Sequence, residues 1–194
     1  DALRVCLRLA QAVRRLHFNG LAHSDLSFKN CLINPLGGEV CILDADGVVV
    51  PEVFHPDVAG TPGFTAPEVV KTQKLPLEER KLPGRETDLH ALATYIYHLL
   101  FKRHPLVGRK IHDIDDEEKD RWLQMGENAL FIEHPTDESN RLEEELGEEE
   151  RPWNDLERLP MSVVGKDLTA LFLQAFIDGL HNPSRRPSAS AWES

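Results

Sequence analysis

Two oxygen-bearing side chains, Asp25 and Asn30, lie five residues apart where the sequence changes from a helical to an extended pattern. A carboxylate can accept the proton of an attacking hydroxyl group. Oxygen ligands also suit Mg²⁺, which usually binds one or two carboxylates together with substrate phosphates. A second acidic cluster, 44–47 (DADG), follows the next apolar run. These residues and spacings predict a loop that holds a hydroxyl group beside a metal-bound phosphate.

The elements around this loop follow from the spacing of apolar residues. Apolar residues three and four apart predict a one-faced helix, which Asn19-Gly20 ends. Two short apolar runs, separated by a turn that contains Pro and Gly, predict a β-hairpin. The predicted order is helix 2–17, loop 21–30, strand 31–33 and strand 40–43. Asn30 would then precede the hairpin, and Asp44 would follow it.

The rest of the chain is predicted to be mostly helical. Residues 44–67 are rich in Gly and Pro and predict a long loop. Residues 88–101 are apolar on nearly every side, so this helix should be buried in the middle of a helical domain. A second amphipathic helix is expected over about 166–180, and a last one over 188–192. The predicted fold class is mainly α (α+β overall), with a small β-hairpin beside the candidate site.

The composition of the 194 residues is that of a folded globular domain. Hydrophobic side chains make up 41% and charged ones 28%. The sequence contains no run of about 18 apolar residues that would predict a transmembrane helix. No leader pattern is visible at the start of the sequence. Three cysteines fit a reducing compartment, so a cytoplasmic protein without a membrane association is expected.

The net charge of −11 is concentrated in an acidic insert at about 109–160. Residues 111–160 carry 18 acidic and 5 basic side chains, a net charge of −13. A surface that binds nucleic acid needs clustered Lys and Arg, so no nucleic-acid partner is expected. The insert is predicted to be a solvated, mobile segment.

The order His-x-Asp-(x)4-Asn, strand, turn, strand, Asp resembles the catalytic and metal-binding core of protein kinases. Further along the chain, 60–68 (GTPGFTAPE) is similar to the substrate-binding end of the activation segment in serine/threonine kinases. Arg186, just before Pro187, matches an Arg near the end of the kinase domain. The resemblance extends in the family's order from residue 2 to residue 192.

The resemblance implies ATP and Mg²⁺ as cofactors and a protein with a Ser or Thr hydroxyl as substrate. Asp25 would accept the proton of the attacking hydroxyl group. Asn30 and Asp44 would hold Mg²⁺ and the nucleotide phosphates, so all three residues are candidate catalytic residues. Leu32 would form the floor under the adenine ring.

The other matched positions have structural or substrate-binding roles in the family. Thr61, Gly63 and Phe64 would belong to the substrate-binding end of the activation segment. His23 would brace the catalytic loop from beneath. The remaining structural candidates are Glu68 paired with Arg186, and Asp88 as the anchor of the catalytic-loop backbone. A simple helix N-cap is the other role considered for Asp88, and the two roles are compatible.

The domain prediction follows from the same resemblance. Residues 1–194 are expected to form one domain, the large C-terminal lobe of a kinase truncated at both ends, with the N-terminal lobe absent. Its parts would be the catalytic loop 23–30, the activation segment 44–68 and the acidic insert at about 109–160. Such a fragment alone would catalyse little.

Four residues depart from the family pattern. Ser24 and Ser27 replace basic residues of the catalytic loop, and Ala45 and Asp46 replace the Phe and Gly of the metal-binding triad. The Asp-x-Asp triad resembles a bacterial branch of kinases, whose members often accompany a PP2C-type phosphatase and a von Willebrand factor A protein. The same departures leave open a pseudokinase scaffold and a small-molecule phosphotransferase.

Overall fold

The structure is a computed structural model that describes residues 2–51, 53, 60–111, 125–142, 156–157 and 159–193. Helix α1 spans Ala2–Phe18 and buries one face, formed by Val5, Cys6, Leu9, Ala10 and Val13. The helix ends where the Asn19 side chain donates to the carbonyl oxygen of Arg15 at 2.7 Å and Gly20 turns to φ +79°. The predicted helix 2–17 is thus present and one residue longer.

Four short strands form two antiparallel pairs within the described residues. Strands β2 (Cys31–Ile33) and β3 (Val40–Ile42) make the predicted hairpin, in which Leu32 pairs with Cys41. Strands β1 (Ala22–His23) and β4 (Val48–Val49) form a second pair that the sequence did not predict. The predicted loops 21–30 and 44–67 are therefore joined by a small sheet.

About half of the described residues are helical when the 3-10 and π turns are included. Helix α2 spans Pro67–Thr72, α3 spans Arg85–Phe101, and α4 spans Lys166–Leu173 and continues into a π-turn over Gln174–Asp178. Short 3-10 turns lie at Phe28–Asn30, Ala45–Gly47, Leu77–Glu79, Arg109–Ile111, Met161–Val164, Pro183–Arg185 and Ala189–Glu193. This composition is compatible with the predicted mainly α fold class.

Helix α3 lies in the middle of the core, as its all-round apolar sequence predicts. Tyr97 contacts the rings of Phe101, Phe172 and Phe176 at centroid distances of 4.6, 5.2 and 5.9 Å. The helix begins at Arg85, three residues before the predicted start, because the Thr87 hydroxyl group bonds to the main chain of Gly84 and caps the first turn.

Part of the acidic insert is packed against this core, which makes the prediction of a mobile insert wrong for residues 125–142. Phe131 and Ile132 are completely buried. Arg103, two residues after the end of α3, forms an ion pair of 2.7 Å with Glu133 and donates to the carbonyl oxygen of Leu159 at 2.6 Å. Residues 112–124, 143–155 and 158 of the insert lie outside the described ranges. In the described part of the chain, no helix combines the length and apolarity that crossing a membrane requires.

Candidate functional site

His23, the last residue of β1, connects the predicted catalytic loop to the end of β3. Its Nδ1 accepts a hydrogen bond from the main-chain N–H of Asp25 at 3.2 Å. Nε2 therefore carries the proton and donates to the carbonyl oxygen of Leu43 at 2.9 Å. The ring is buried, and at Gly47 an added Cβ would lie 3.0 Å from its Cε1 atom, so glycine permits this close approach. His23 thereby fixes the start of the loop relative to the residue before Asp44.

The carboxylate of Asp25 is held at both oxygens. Oδ1 accepts the main-chain N–H of Thr61 at 2.7 Å, and Oδ2 accepts Nδ2 of Asn30 at 3.0 Å. Nδ2 of Asn30 also donates to the carbonyl oxygen of Asp25 at 2.8 Å. Because a carboxylate has about four lone-pair sites, Asp25 can still accept a further hydrogen bond, such as one from a substrate hydroxyl group. The structure therefore brings Asp25, Asn30 and Thr61 together.

Asp44 lies next to this group through the main chain. The N–H of Leu43 donates to the carbonyl oxygen of Asn30 at 2.7 Å, so the residue after Leu43 is a neighbour of Asn30. Asp44 is exposed and adopts φ +66°, a left-handed conformation that Asp tolerates better than most residues. This conformation turns the chain sharply at the end of β3.

The donor set of Asn30 and Asp44 fits Mg²⁺ that is shared with phosphate. Nδ2 of Asn30 is engaged by Asp25, so its Oδ1 remains as an oxygen ligand, and the Asp44 carboxylate is exposed. Among the described residues, no group of three or more His, Cys, Asp or Glu could hold a metal by itself. This agrees with the usual Mg²⁺ site, in which substrate phosphates supply part of the coordination.

The segment around Thr61 is tied to the catalytic loop by a second contact. The Thr61 hydroxyl group donates to Oγ of Ser27 at 3.2 Å. Ser27 is completely buried, so its hydroxyl group is committed to this contact within the protein. Phe64 is also buried, and its ring lies 4.9 Å from that of Phe28. Phe64 therefore supports the segment from beneath.

Gly63 adopts φ +91°, in the left-handed region that favours glycine. Its main-chain groups are engaged by two residues that the sequence did not single out. His104 donates Nε2–H to the carbonyl oxygen of Gly63 at 2.8 Å, and the N–H of Gly63 donates to Sδ of Met125 at 3.0 Å. Met125 belongs to the acidic insert, and no spacing in the sequence connects it to Gly63.

Asp88 anchors the loop from within α3. Its Oδ2 accepts the main-chain N–H of His23 at 2.8 Å and lies 2.9 Å from Nε2 of His17. Gly84 takes the N-cap position, so the N-cap interpretation of Asp88 is wrong. Burial raises the pKa of Asp88, and the hydrogen bond to His17 opposes that shift. Oδ1 is buried without a protein partner among the described residues. His17, near the end of α1, was missed because only folding brings it to α3.

Glu68 and Arg186 form the predicted ion pair. Nη1 and Nη2 of Arg186 each lie 2.7 Å from one carboxylate oxygen of Glu68, a bidentate geometry. The guanidinium group also donates to the carbonyl oxygens of Glu86 and Gly179 at 2.7 and 2.9 Å. Arg185, by contrast, has a side chain that is 60% exposed. The pair joins the start of α2 to the C-terminal part of the chain.

The candidate residue Leu32 and Ser24, one of the departures from the family pattern, lie at the edge of the site. Leu32 is 61% exposed on the face of the hairpin that it shares with Cys41, so an apolar surface is available there. Ser24 donates through both its main-chain N–H and its hydroxyl group to the carbonyl oxygen of Gly47, at 2.8 and 2.9 Å. Ser24 therefore joins the catalytic loop to the chain that follows Asp44.

Comparison with known proteins is consistent with this geometry. Residues 1–192 match the family model of the protein kinase domain. The chain is 30% identical to Protein kinase C-like 2 of Schizosaccharomyces pombe over 59% of its length and 10% of the relative's. It is 27% identical to Serine/threonine-protein kinase ppk34 of the same yeast, over 61% of the chain and 32% of the relative. Serine/threonine-protein kinase dkf-1 of Caenorhabditis elegans is 24% identical over 80% of the chain and 18% of the relative. The matched stretch covers less than a third of the length of each of these relatives.

Proposed function

Since this chain belongs to the protein kinase family, we propose that it forms the large catalytic lobe of a protein serine/threonine kinase. The reaction would transfer the γ-phosphate of ATP to a Ser or Thr hydroxyl group of a protein. The observation that carries this proposal is the arrangement of Asp25, whose two carboxylate oxygens accept hydrogen bonds from Thr61 and Asn30. Two of the three named relatives are serine/threonine-protein kinases, which supports the same substrate class.

Each residue of the site has a role that its geometry can perform. Asp25, oriented by its two hydrogen bonds, accepts the proton of the substrate hydroxyl group as it attacks. Asn30 and Asp44 would hold Mg²⁺, which would supply positive charge to stabilise the transferring phosphate. Leu32 offers an exposed apolar surface on which the adenine ring can lie.

The same proposal includes the origin of the protein, its location in the cell and its partner proteins. Free thiols at Cys6, Cys31 and Cys41 support a cytoplasmic location, where thiols stay reduced. A PP2C-type phosphatase and a von Willebrand factor A protein stay predicted partners. The bacterial branch also stays a prediction, which the eukaryotic relatives named above do not support.

The test compares the full-length wild-type protein with its Asp25→Asn variant in transfer of labelled γ-phosphate to dephosphorylated casein. Loss of the proton acceptor should lower the rate about 10²–10⁴-fold. Asp167→Asn is the matched control, since Asp167 is exposed in the first turn of α4 and should keep the wild-type rate. Equal rates for wild type and Asp25→Asn would contradict the proposal.

The same assay separates the two alternative functions. A scaffold without turnover is favoured by Ser27, which is buried and hydrogen-bonded to Thr61 where the family has a lysine that supports the transferring phosphate. In that case wild type and Asp25→Asn would transfer equally little phosphate to any acceptor. A small-molecule phosphotransferase would leave casein unlabelled but label an aminoglycoside or choline.

A further inference from the structure

The main chain of Gly63 is held on both sides by side chains from distant parts of the sequence. Its carbonyl oxygen accepts Nε2–H of His104 at 2.8 Å, and its N–H donates to Sδ of Met125 at 3.0 Å. Both polar groups of this peptide position are therefore engaged by residues outside the segment 60–66. A Cβ on Gly63 would lie 3.5 Å from Nε2 of His104, so these side chains pack directly against it.

His104 is a permanent donor at neutral pH. Its Nδ1 accepts the main-chain N–H of Leu106 at 3.1 Å, so the single proton of the neutral ring is on Nε2. Burial lowers the pKa of His104 to about 4, which keeps the ring neutral. The bond to Gly63 therefore does not depend on a change in protonation near pH 7.

The two contacts are linked to Asp25 through one compact turn. The N–H groups of Phe64 and Thr65 both donate to the carbonyl oxygen of Thr61, at 3.0 and 3.2 Å. The N–H of Thr61 in turn donates to Asp25 at 2.7 Å. A displacement of Gly63 would therefore move Thr61 relative to the carboxylate.

We propose that His104 and Met125 are positioning residues. They hold the protein-substrate binding segment at Gly63 in a fixed position relative to the Asp25 carboxylate. This inference rests on the proposed kinase function, because it assigns these residues to the binding of the protein substrate. Neither residue touches the reacting groups. Both act through the Gly63 main chain, and the acidic insert contributes one of them.

The test measures KM for dephosphorylated casein and KM for ATP separately in full-length variants. His104→Phe keeps a ring of similar size but removes the donor, and Met125→Leu keeps the volume but removes the sulfur acceptor. Each should raise the casein KM about fivefold to tenfold, the effect of losing one hydrogen bond. The ATP KM should stay within about twofold of wild type.

Two controls distinguish positioning from general stability. His104→Gln can place an amide N–H near the former Nε2 position, so its casein KM should lie close to the wild-type value. His181→Phe removes a similar ring bond, to the carbonyl oxygen of Ala129 at 2.9 Å, and should leave both KM values unchanged. In His104→Phe, the amides of Phe64 and Thr65 should also exchange hydrogen faster than in wild type.

The outcomes are distinguishable from failure of the kinase assignment. A wild-type protein that phosphorylates neither casein nor itself would overturn both proposals. With an active wild type, His104→Phe could instead leave the casein KM unchanged or raise the KM for casein and the KM for ATP together. Either result would overturn the positioning role alone. Unchanged amide exchange at 64–65 in that variant would also overturn it.

Discussion

The main-chain N–H of Thr61 donates to a carboxylate oxygen of Asp25 at 2.7 Å across 36 residues of sequence. This bond joins the predicted activation segment directly to the predicted proton acceptor. The side chain of Thr61 adds a second connection, to Ser27 at 3.2 Å. One residue therefore couples the position of the predicted activation segment to the orientation of the Asp25 carboxylate.

We expect Thr61→Val to lower kcat/KM for a protein substrate about fivefold to tenfold. The change removes the hydroxyl bond to Ser27, worth about 1 kcal/mol, but keeps the main-chain bond to Asp25. Thr61→Ser keeps the hydroxyl group and should retain most of the activity. Steady-state kinetics on the full-length protein check this, and equal activity of the Val and Ser variants would contradict it.

Arg186→Met should destabilise the protein by about 3–5 kcal/mol, because it leaves the carboxylate of Glu68 in a partly buried position without its bidentate partner. Arg186→Lys should recover only part of the loss, since an ammonium group cannot reproduce the planar fork. Urea unfolding measures both variants.

The neighbouring residue provides the matched control for this pair. Arg185→Met changes an exposed side chain that lies 3.6 Å from Asp178, and it should alter the free energy of unfolding by no more than about 0.5 kcal/mol. If Arg185→Met and Arg186→Met had the same free energy of unfolding, the structural role assigned to the pair of Glu68 and Arg186 would be contradicted.

The free energy of unfolding should fall as the pH is lowered from about 6.5 towards 4. Burial lowers the pKa of His104 to about 4 and that of His90 well below its usual value. At these two histidines the unfolded chain takes up protons first, so the stability that they contribute above pH 6.5 is lost on acidification, whereas the raised pKa of Asp88 acts in the opposite direction. His104 contributes at most about 3 kcal/mol to this change.

In the variant His104→Phe, the free energy of unfolding should fall less steeply as the pH is lowered, because only the contribution of His90 and other groups remains. Urea unfolding at pH 7, 6, 5 and 4.5 measures the slopes. Parallel curves for wild type and His104→Phe would show that His104 is not buried in its neutral form.

Gly108→Ala should destabilise the packed part of the acidic insert. A Cβ at this position would lie 1.8 Å from the main-chain oxygen of Asn140, whose side chain donates to Leu106 and Leu130 at 3.0 and 2.6 Å. Overpacking of this kind costs about 1–3 kcal/mol. Gly37→Ala is the control, since a Cβ there would meet only the flexible end of an exposed carboxylate side chain. Equal free energies of unfolding for the two variants would contradict the packing.

Sequence alone identified the residues that local pattern and family resemblance could specify. The spacing of Asp25 and Asn30, the apolar periodicity of α1 and the two runs of the hairpin are all properties of short stretches. Glu68 and Arg186 lie far apart, yet the family motif predicted their pairing, which the structure contains. The kinase family itself is also confirmed, whereas the catalytic and metal-binding roles of Asp25, Asn30 and Asp44 stay predictions.

Only the tertiary structure decided the contacts between side chains and distant main-chain groups. The pairing of β1 with β4, the bond of His17 to Asp88 and the contacts of His104 and Met125 with Gly63 have no signal in the sequence. A two-residue strand is too short for a periodic pattern, and an isolated His or Met has many possible partners. Such partners are selected when α3 is buried and the surrounding polar groups must be satisfied within the core. The sequence therefore determined which residues make up the candidate site, and packing around α3 determined how they are held.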